Sequence, residues 1–120
     1  MRKAFAGYAL VSLISLLSAG CRSAFVATTI TNNSGAQVTL LEVDYPSASF
    51  GVGALAPSAQ FHYRFKIQGS GSIKLQFTDG AGKAHTASGP DLHEGQQGNL
   101  QINIDPSGNI SWIPNLTEIR

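Results

Sequence analysis

Residues 61–67 read Phe61-His62-Tyr63-Arg64-Phe65-Lys66-Ile67, a strict alternation of apolar and polar side chains. Only an extended chain puts every second residue on one face, so this segment is a half-buried β-strand with His62, Arg64 and Lys66 on the solvent side. The same period of two recurs in Ile73-Lys74-Leu75-Gln76-Phe77 and in Leu100-Gln101-Ile102-Asn103-Ile104. No helical period of comparable length follows residue 24. Further strands are expected over 25–31, 37–45 and 50–55, with shorter ones at 83–87 and 109–113.

Within 37–45 the apolar residues change phase: Val38 and Leu40 share one side, Leu41, Val43 and Tyr45 the other. A β-bulge or a change of sheet at Leu40-Leu41 accounts for the switch. Turn chemistry separates the strands at Asn32-Asn33-Ser34-Gly35, Tyr45-Pro46-Ser47, Ala56-Pro57-Ser58, Gln68-Gly69-Ser70-Gly71, Asp79-Gly80-Ala81-Gly82 and Asp105-Pro106-Ser107-Gly108. Gly and Asn tolerate positive φ there, and Pro presets the bend. Short strands at this spacing predict an all-β fold, an antiparallel immunoglobulin-like β-sandwich of about 7–8 strands over residues 25–114, with 115–120 as a C-terminal tail. The cysteine pair of antibody domains is absent, so the likeness is one of architecture. The alternation predicts an inward set of Val26, Ile30, Val38, Leu40, Val43, Phe61, Tyr63, Phe65, Ile67, Ile73, Leu75, Phe77, Leu100, Ile102, Ile104 and Trp112.

Ahead of the domain, Arg2 and Lys3 precede an uncharged apolar run over 4–17, the small residues Ser18, Ala19 and Gly20, and then the single cysteine, Cys21. That order is the order of an export signal, and the apolar run is shorter than the ~20 residues a bilayer span needs. Leu17-Ser18-Ala19-Gly20-Cys21 resembles the lipobox of bacterial lipoproteins. The resemblance implies a signal-peptide helix over 1–20 that is cut away, a diacylglycerol on the Cys21 thiol, an acyl chain on its new amino group, and a short tether over 21–24. No other cofactor is expected. Ser18 stands where the family usually carries Leu, and Ser18 with Gly20 also suits ordinary signal cleavage, so plain secretion is the alternative. Arg22, rather than Asp, is similar to members sorted to the outer membrane of Gram-negative cells. A single acyl chain anchors only marginally, at ~0.8 kcal/mol per buried CH₂, whereas two or three chains hold firmly. The tether then keeps the domain within about 10 to 15 Å of the membrane.

Eight Lys and Arg stand against seven Asp and Glu; loss of Arg2 and Lys3 with the signal leaves the mature chain slightly acidic. Binding to nucleic acid through its phosphates requires the opposite balance. A lone cysteine excludes an intramolecular disulfide and a Cys-based zinc site. The chain has no G-x-S-x-G elbow, no His-x-His and no H-E-x-x-H, and its size leaves little room for a substrate cleft beside a core, so no enzyme activity is expected.

Two surface features remain. Residues 88–98 form the longest unpatterned stretch and are expected as a loop crossing between sheets, with Asp91, Leu92, His93 and Glu94 as candidate partner contacts. The stripe of His62, Arg64 and Lys66, joined by Lys74 if that residue lies on the neighbouring strand, offers a cationic face to anionic head groups or polysaccharide. A metal-binding alternative places Zn or Cu on His62, His85, His93 and Glu94, which are suitable ligand types without a tight spacing.

Taken together, the lipobox and a β-domain beginning Thr29-Ile30-Thr31-Asn32-Asn33-Ser34-Gly35 resemble small bacterial lipoproteins with an immunoglobulin-like domain. The resemblance implies a membrane-anchored envelope protein acting as a binding or structural module, its partner an envelope protein or cell-wall polysaccharide. It implies no activity.

Overall fold

The structure, a computed structural model, describes residues 24–118. The expected signal segment over 1–20, the expected lipid site Cys21, residues 22 and 23 and the last two residues lie outside the described residues. Eight strands follow one another: β1 (Val26–Asn32), β2 (Val38–Tyr45), β3 (Ala48–Leu55), β4 (Gln60–Phe65), β5 (Ser70–Thr78), β6 (Ala84–His93), β7 (Gln96–Ile104) and β8 (Ile110–Glu118). They form two four-stranded sheets in the orders β4-β1-β7-β8 and β3-β2-β5-β6, called here the β1 sheet and the β2 sheet.

All neighbouring strands run antiparallel except β1 and β7, which are parallel with Val26 opposite Gly98. The expectation of a wholly antiparallel fold is corrected at that pair. Parallel neighbours need a long crossover, and here the crossover is the excursion that builds the β2 sheet and β4. The strand order also departs from that of immunoglobulin constant domains, in which the first sheet joins the first, second, fifth and fourth strands.

The alternation read from the sequence supplies the inner faces. Val26, Ile30, Phe65, Leu100, Ile102 and Ile104 of the β1 sheet share one core with Val38, Leu41, Val43, Ile73, Leu75 and Phe77 of the β2 sheet. Each such side chain contributes about 1.5–3 kcal/mol of burial, an upper estimate against an extended chain. Leu41, Phe50, Leu55 and Leu92 belong to this core without having been expected in it.

Leu40 is the clearest error in the expected core: its side chain is 71% exposed. The register between β2 and β5 shifts between Thr39 and Glu42, and Leu40 adopts a φ of 53°. One extra residue is thereby accommodated, Leu41 turns inward and Leu40 outward, so the bulge read from the phase change is present while the buried member of the pair is the other leucine. Tyr63, also expected inside, is 38% exposed. Its phase is inward, opposite Thr28, but β4 is an edge strand and the ring closes the seam between sheets by stacking on Phe50 at 4.2 Å. Phe61 and Trp112 are half-buried against the core for the same reason.

Residues 88–98 are not a loop. β6 continues through His93, Glu94 and Gly95 make the whole connection, and β7 starts at Gln96. The strand lacked a readable pattern because Gly89, on its inner side, has no side chain to bury. The Trp112 indole from β8 lies where a Cβ on Gly89 would stand, at 2.6 Å. Similarly β8 runs to Glu118, so 115–118 is strand rather than tail.

Strand directions put the turns after β1, β3, β5 and β7 at one end and Ala24, Glu118 and the remaining turns at the other. Asn32 ties that first end together. It is fully buried; its Nδ2 donates to the carbonyls of Ala36 at 2.8 Å and Leu55 at 3.0 Å, and its Oδ1 accepts from the Ser34 hydroxyl at 2.6 Å. One amide therefore joins the end of β1 to β3 of the opposite sheet, satisfying backbone groups that the turn leaves without ladder partners.

Candidate functional site

The outer face of the β1 sheet is built by register. His62, Thr29, Gln101 and Ile113 form one row across β4, β1, β7 and β8; Arg64, Ala27, Asn99 and Asn115 form the next; Gln60, Thr31, Asn103 and Ser111 form a third. Among these residues there is no carboxylate. The row-forming bonds stay on β1 and β4, where Thr29 Oγ1 meets His62 Nδ1 at 3.1 Å and Gln60 Nε2 donates to Thr31 Oγ1 at 3.3 Å. The side chains of Asn99, Gln101, Asn103 and Asn115 make no hydrogen bond to another described residue, and Asn99, Gln101 and Asn115 are exposed. Each primary amide offers two donors and an acceptor, the complement of a hydroxyl that both donates and accepts.

Toward the end where Ala24 lies this face sinks into a depression of about 400 Å³ lined by Phe25, Arg64, Gln97, Gly98, Asn99 and Thr117. The Arg64 guanidinium lies 4.8 Å from the centroid of the Phe25 ring, a cation–π contact of about 0.5–1 kcal/mol at an exposed site. Gly98 has a φ of 133°, and a Cβ there would run into the Asn115 carbonyl oxygen, so the floor of the depression requires glycine.

His62 and Arg64 are exposed on this side, and Lys66, also exposed, follows the end of β4 at Phe65 instead of continuing the strand. Lys74 does not extend the stripe: it sits on β5 of the other sheet, opposite Asp44. The positive stripe is therefore one edge strand wide, as edge-protecting charges commonly are.

The second group of expected contacts is dispersed. Leu92 is buried in the core and cannot meet a partner. Asp91 is exposed and accepts from Ser72 Oγ at 2.7 Å. His93 Nε2 lies 2.9 Å from Glu118 Oε1, and its backbone N–H donates to Gln96 Oε1 at 3.0 Å, which staples β6 to β8 and shapes the two-residue turn that Glu94 enters.

The residues of the metal alternative are not brought together. His85 and His93 occupy opposite ends of β6, roughly 25 Å apart at ~3.3 Å per residue. His62 is on an edge strand of the other sheet. Among the described residues no three His, Cys, Asp or Glu side chains are placed to share an ion. Instead the His85 ring stacks on Phe77 at 4.8 Å and its Nε2 meets Asp79 Oδ2 at 2.7 Å. That bond and the N–H groups of Lys83 and Ala81 hold the Asp79 carboxyl below its ordinary pKa. Asp105 is lowered in the same way by the Ser107 hydroxyl and the N–H groups of Asn109 and Ser107. Both aspartates thus serve their own turns.

A depression of about 320 Å³ lies between those two turns, lined by Ser34, Phe77, Asp79, Ala81, Pro106 and Ser107. Nothing in the sequence marked it, because its walls are turn residues brought together only by the fold.

No family model matches the chain, and no curated protein matches it. Among solved structures it is similar to the NMR structure of a protein from Eubacterium rectale, with 12% identity, a TM-score of 0.54, and coverage of 74% of this chain and 86% of that one. At that identity the likeness concerns the fold alone.

Proposed function

We propose that the protein is a membrane-anchored lipoprotein of the bacterial cell envelope, whose β-domain is a non-catalytic module that binds cell-wall polysaccharide through the outer face of the β1 sheet. The fold, in this reading, is an immunoglobulin-like sandwich in the broad sense of two packed sheets, without immunoglobulin connectivity. Cys21 carries the lipid, and Arg22 directs the chain to the outer membrane if the cell is Gram-negative. The observation that carries the binding assignment is the group of uncommitted amides, Asn99, Gln101, Asn103 and Asn115, in register rows that contain no carboxylate. Such a face suits a polyhydroxyl chain, whose hydroxyls both donate and accept, and suits an acidic protein or a nucleic acid less, since its few positive groups lie on one edge.

Metabolic labelling of cells with a clickable fatty acid tests the anchor. The parent chain is expected to take up label and Cys21→Ala to take up none. Label on neither chain would mean a secreted protein, and label on both would place the lipid elsewhere; either result overturns the anchor.

A further inference from the structure

We infer that the free edge of β3 is a docking site for the same strand of a second copy of this chain, making the protein a dimer through an extended β2 sheet. The argument starts from the four sheet edges. β4 carries His62 and Arg64, β6 carries Pro90 and Asp91, and β8 carries Pro114 and Glu118. These are the devices that keep an edge from pairing. β3, Ala48-Ser49-Phe50-Gly51-Val52-Gly53-Ala54-Leu55, has no charge and no proline. It pairs with β2 on one side only.

The surroundings of that edge are apolar as well. Of the large hydrophobic side chains exposed among the described residues, Leu40 and Tyr63 flank β3, one on its outer side and the other at the seam against Phe50. On the outer face beside the strand lies a depression of about 550 Å³, lined by Leu40, Gly51, Val52 and Gly53 and, from β2 and β5, by Glu42 and Gln76. Gly51 is required there, since a Cβ would strike the Leu41 carbonyl oxygen; a Cβ on Gly53 would meet nothing within 4 Å. The missing side chains leave room for those of an added strand.

A second copy fits this edge for electrostatic reasons. Antiparallel pairing about a two-fold axis brings two copies of the same strand to one seam, so any charge on the strand would be present there twice with the same sign. β3 has none to oppose. The nearest acidic residues, Glu42 and Asp44 on β2, would lie three strand spacings from their counterparts' strand, roughly 14 Å at ~4.8 Å per strand. That exceeds the ~8–10 Å over which exposed charges interact at ordinary ionic strength. The two-fold axis stands perpendicular to the joined sheets, so both tethers emerge at the same height and can enter one membrane with the sheets lying along it.

Sedimentation of the purified full chain, in density-matched detergent, measures the assembly. Gly53→Lys places a charge on the edge where the chain has room for it, and Ser49→Lys does so at a second position; Thr86→Lys, on the same outer face but remote from β3, is the control. The parent and Thr86→Lys are expected to dimerise, and each edge variant to weaken dimerisation at least tenfold with an unchanged far-ultraviolet spectrum. A monomeric parent overturns the inference, as does a dimer that persists in folded Gly53→Lys or Ser49→Lys. This assembly does not depend on the polysaccharide reading, which concerns the opposite sheet.

Discussion

The two outer faces of the domain solve the same problem differently. On the β2 sheet, Gln76 Nε2 donates to Glu42 Oε2 at 2.5 Å, Ser72 Oγ donates to Asp91 Oδ1, and Asp44 sits opposite Lys74. Two of its carboxylates, Glu42 and Asp91, are thus bonded to side chains on a neighbouring strand. On the outer face of the β1 sheet the amides of Asn99, Gln101, Asn103 and Asn115 find no partner among the described residues, and of the residues in its three rows only His62 and Arg64, both on β4, are ionisable. A face whose polar groups are mutually satisfied has little left to offer a ligand, whereas one whose amides point to water can exchange that water for hydroxyls. Beneath these faces the sheets are alike, both contributing fully buried aliphatic and aromatic side chains to a single core.

If the difference is confined to the outside, the largest effects are equal on both inner faces. Phe65→Ala in the β1 sheet and Phe77→Ala in the β2 sheet should each lower stability by about 3–5 kcal/mol, measured by urea unfolding. A cost below about 1 kcal/mol at either position would mean that one sheet does not share the core. Next in size is Asn32→Ala, which strips partners from carbonyls of both sheets' ends and should cost about 2–4 kcal/mol, more than the ~1 kcal/mol of an ordinary hydrogen bond. Loss of only the latter amount would mean that water replaces the amide.

The smallest effect is electrostatic. The Asp79 carboxyl, lowered in the folded state chiefly by its bond to His85, contributes stability that is fully present above its unfolded pKa of about 4 and is lost as pH falls through the lower folded value. Asp79→Asn should therefore be less stable than the parent at neutral pH, with the two converging in acid. A constant offset from pH 7 down to about 2 would show that the residue acts through its shape alone.

Strands were readable wherever one face is buried under the other sheet, because burial imposes the period of two: all eight segments expected are strands. Reading failed where a strand's inner position is filled from elsewhere. Gly89 in β6 is covered by Trp112, so the sequence there looks like loop. The end of β8, with Pro114 and Asn115 exposed on an edge, has no buried face to impose a pattern. At Leu40-Leu41 the phase change was visible, but which leucine turns inward depends on the bulge's backbone. Of the candidate contacts, His62, Arg64 and Lys66 were visible as the polar phase of an apolar strand. Gln101 lay in the polar phase of an alternating strand, but Asn99 and Asn115 could not be joined to it, because they meet only through the register of β7 with the unexpected end of β8, where Asn99 stands opposite Asn115.

The central claim is that the β1 face binds polysaccharide. Co-sedimentation of the full chain with insoluble cell-wall polysaccharide tests it most directly, comparing the parent with a triple variant of the β1 face (Asn99→Ala, Gln101→Ala, Asn115→Ala) and a triple variant of the β2 face (Glu42→Ala, Gln76→Ala, Asp91→Ala). The account predicts that the parent and the β2-face variant bind alike, that the β1-face variant loses at least about tenfold, or ~1.4 kcal/mol, and that binding persists from about 0.05 to 0.5 M salt because neutral groups carry it. A parent that stays in the supernatant, a β1-face variant that binds as the parent does, or binding abolished by salt would contradict it.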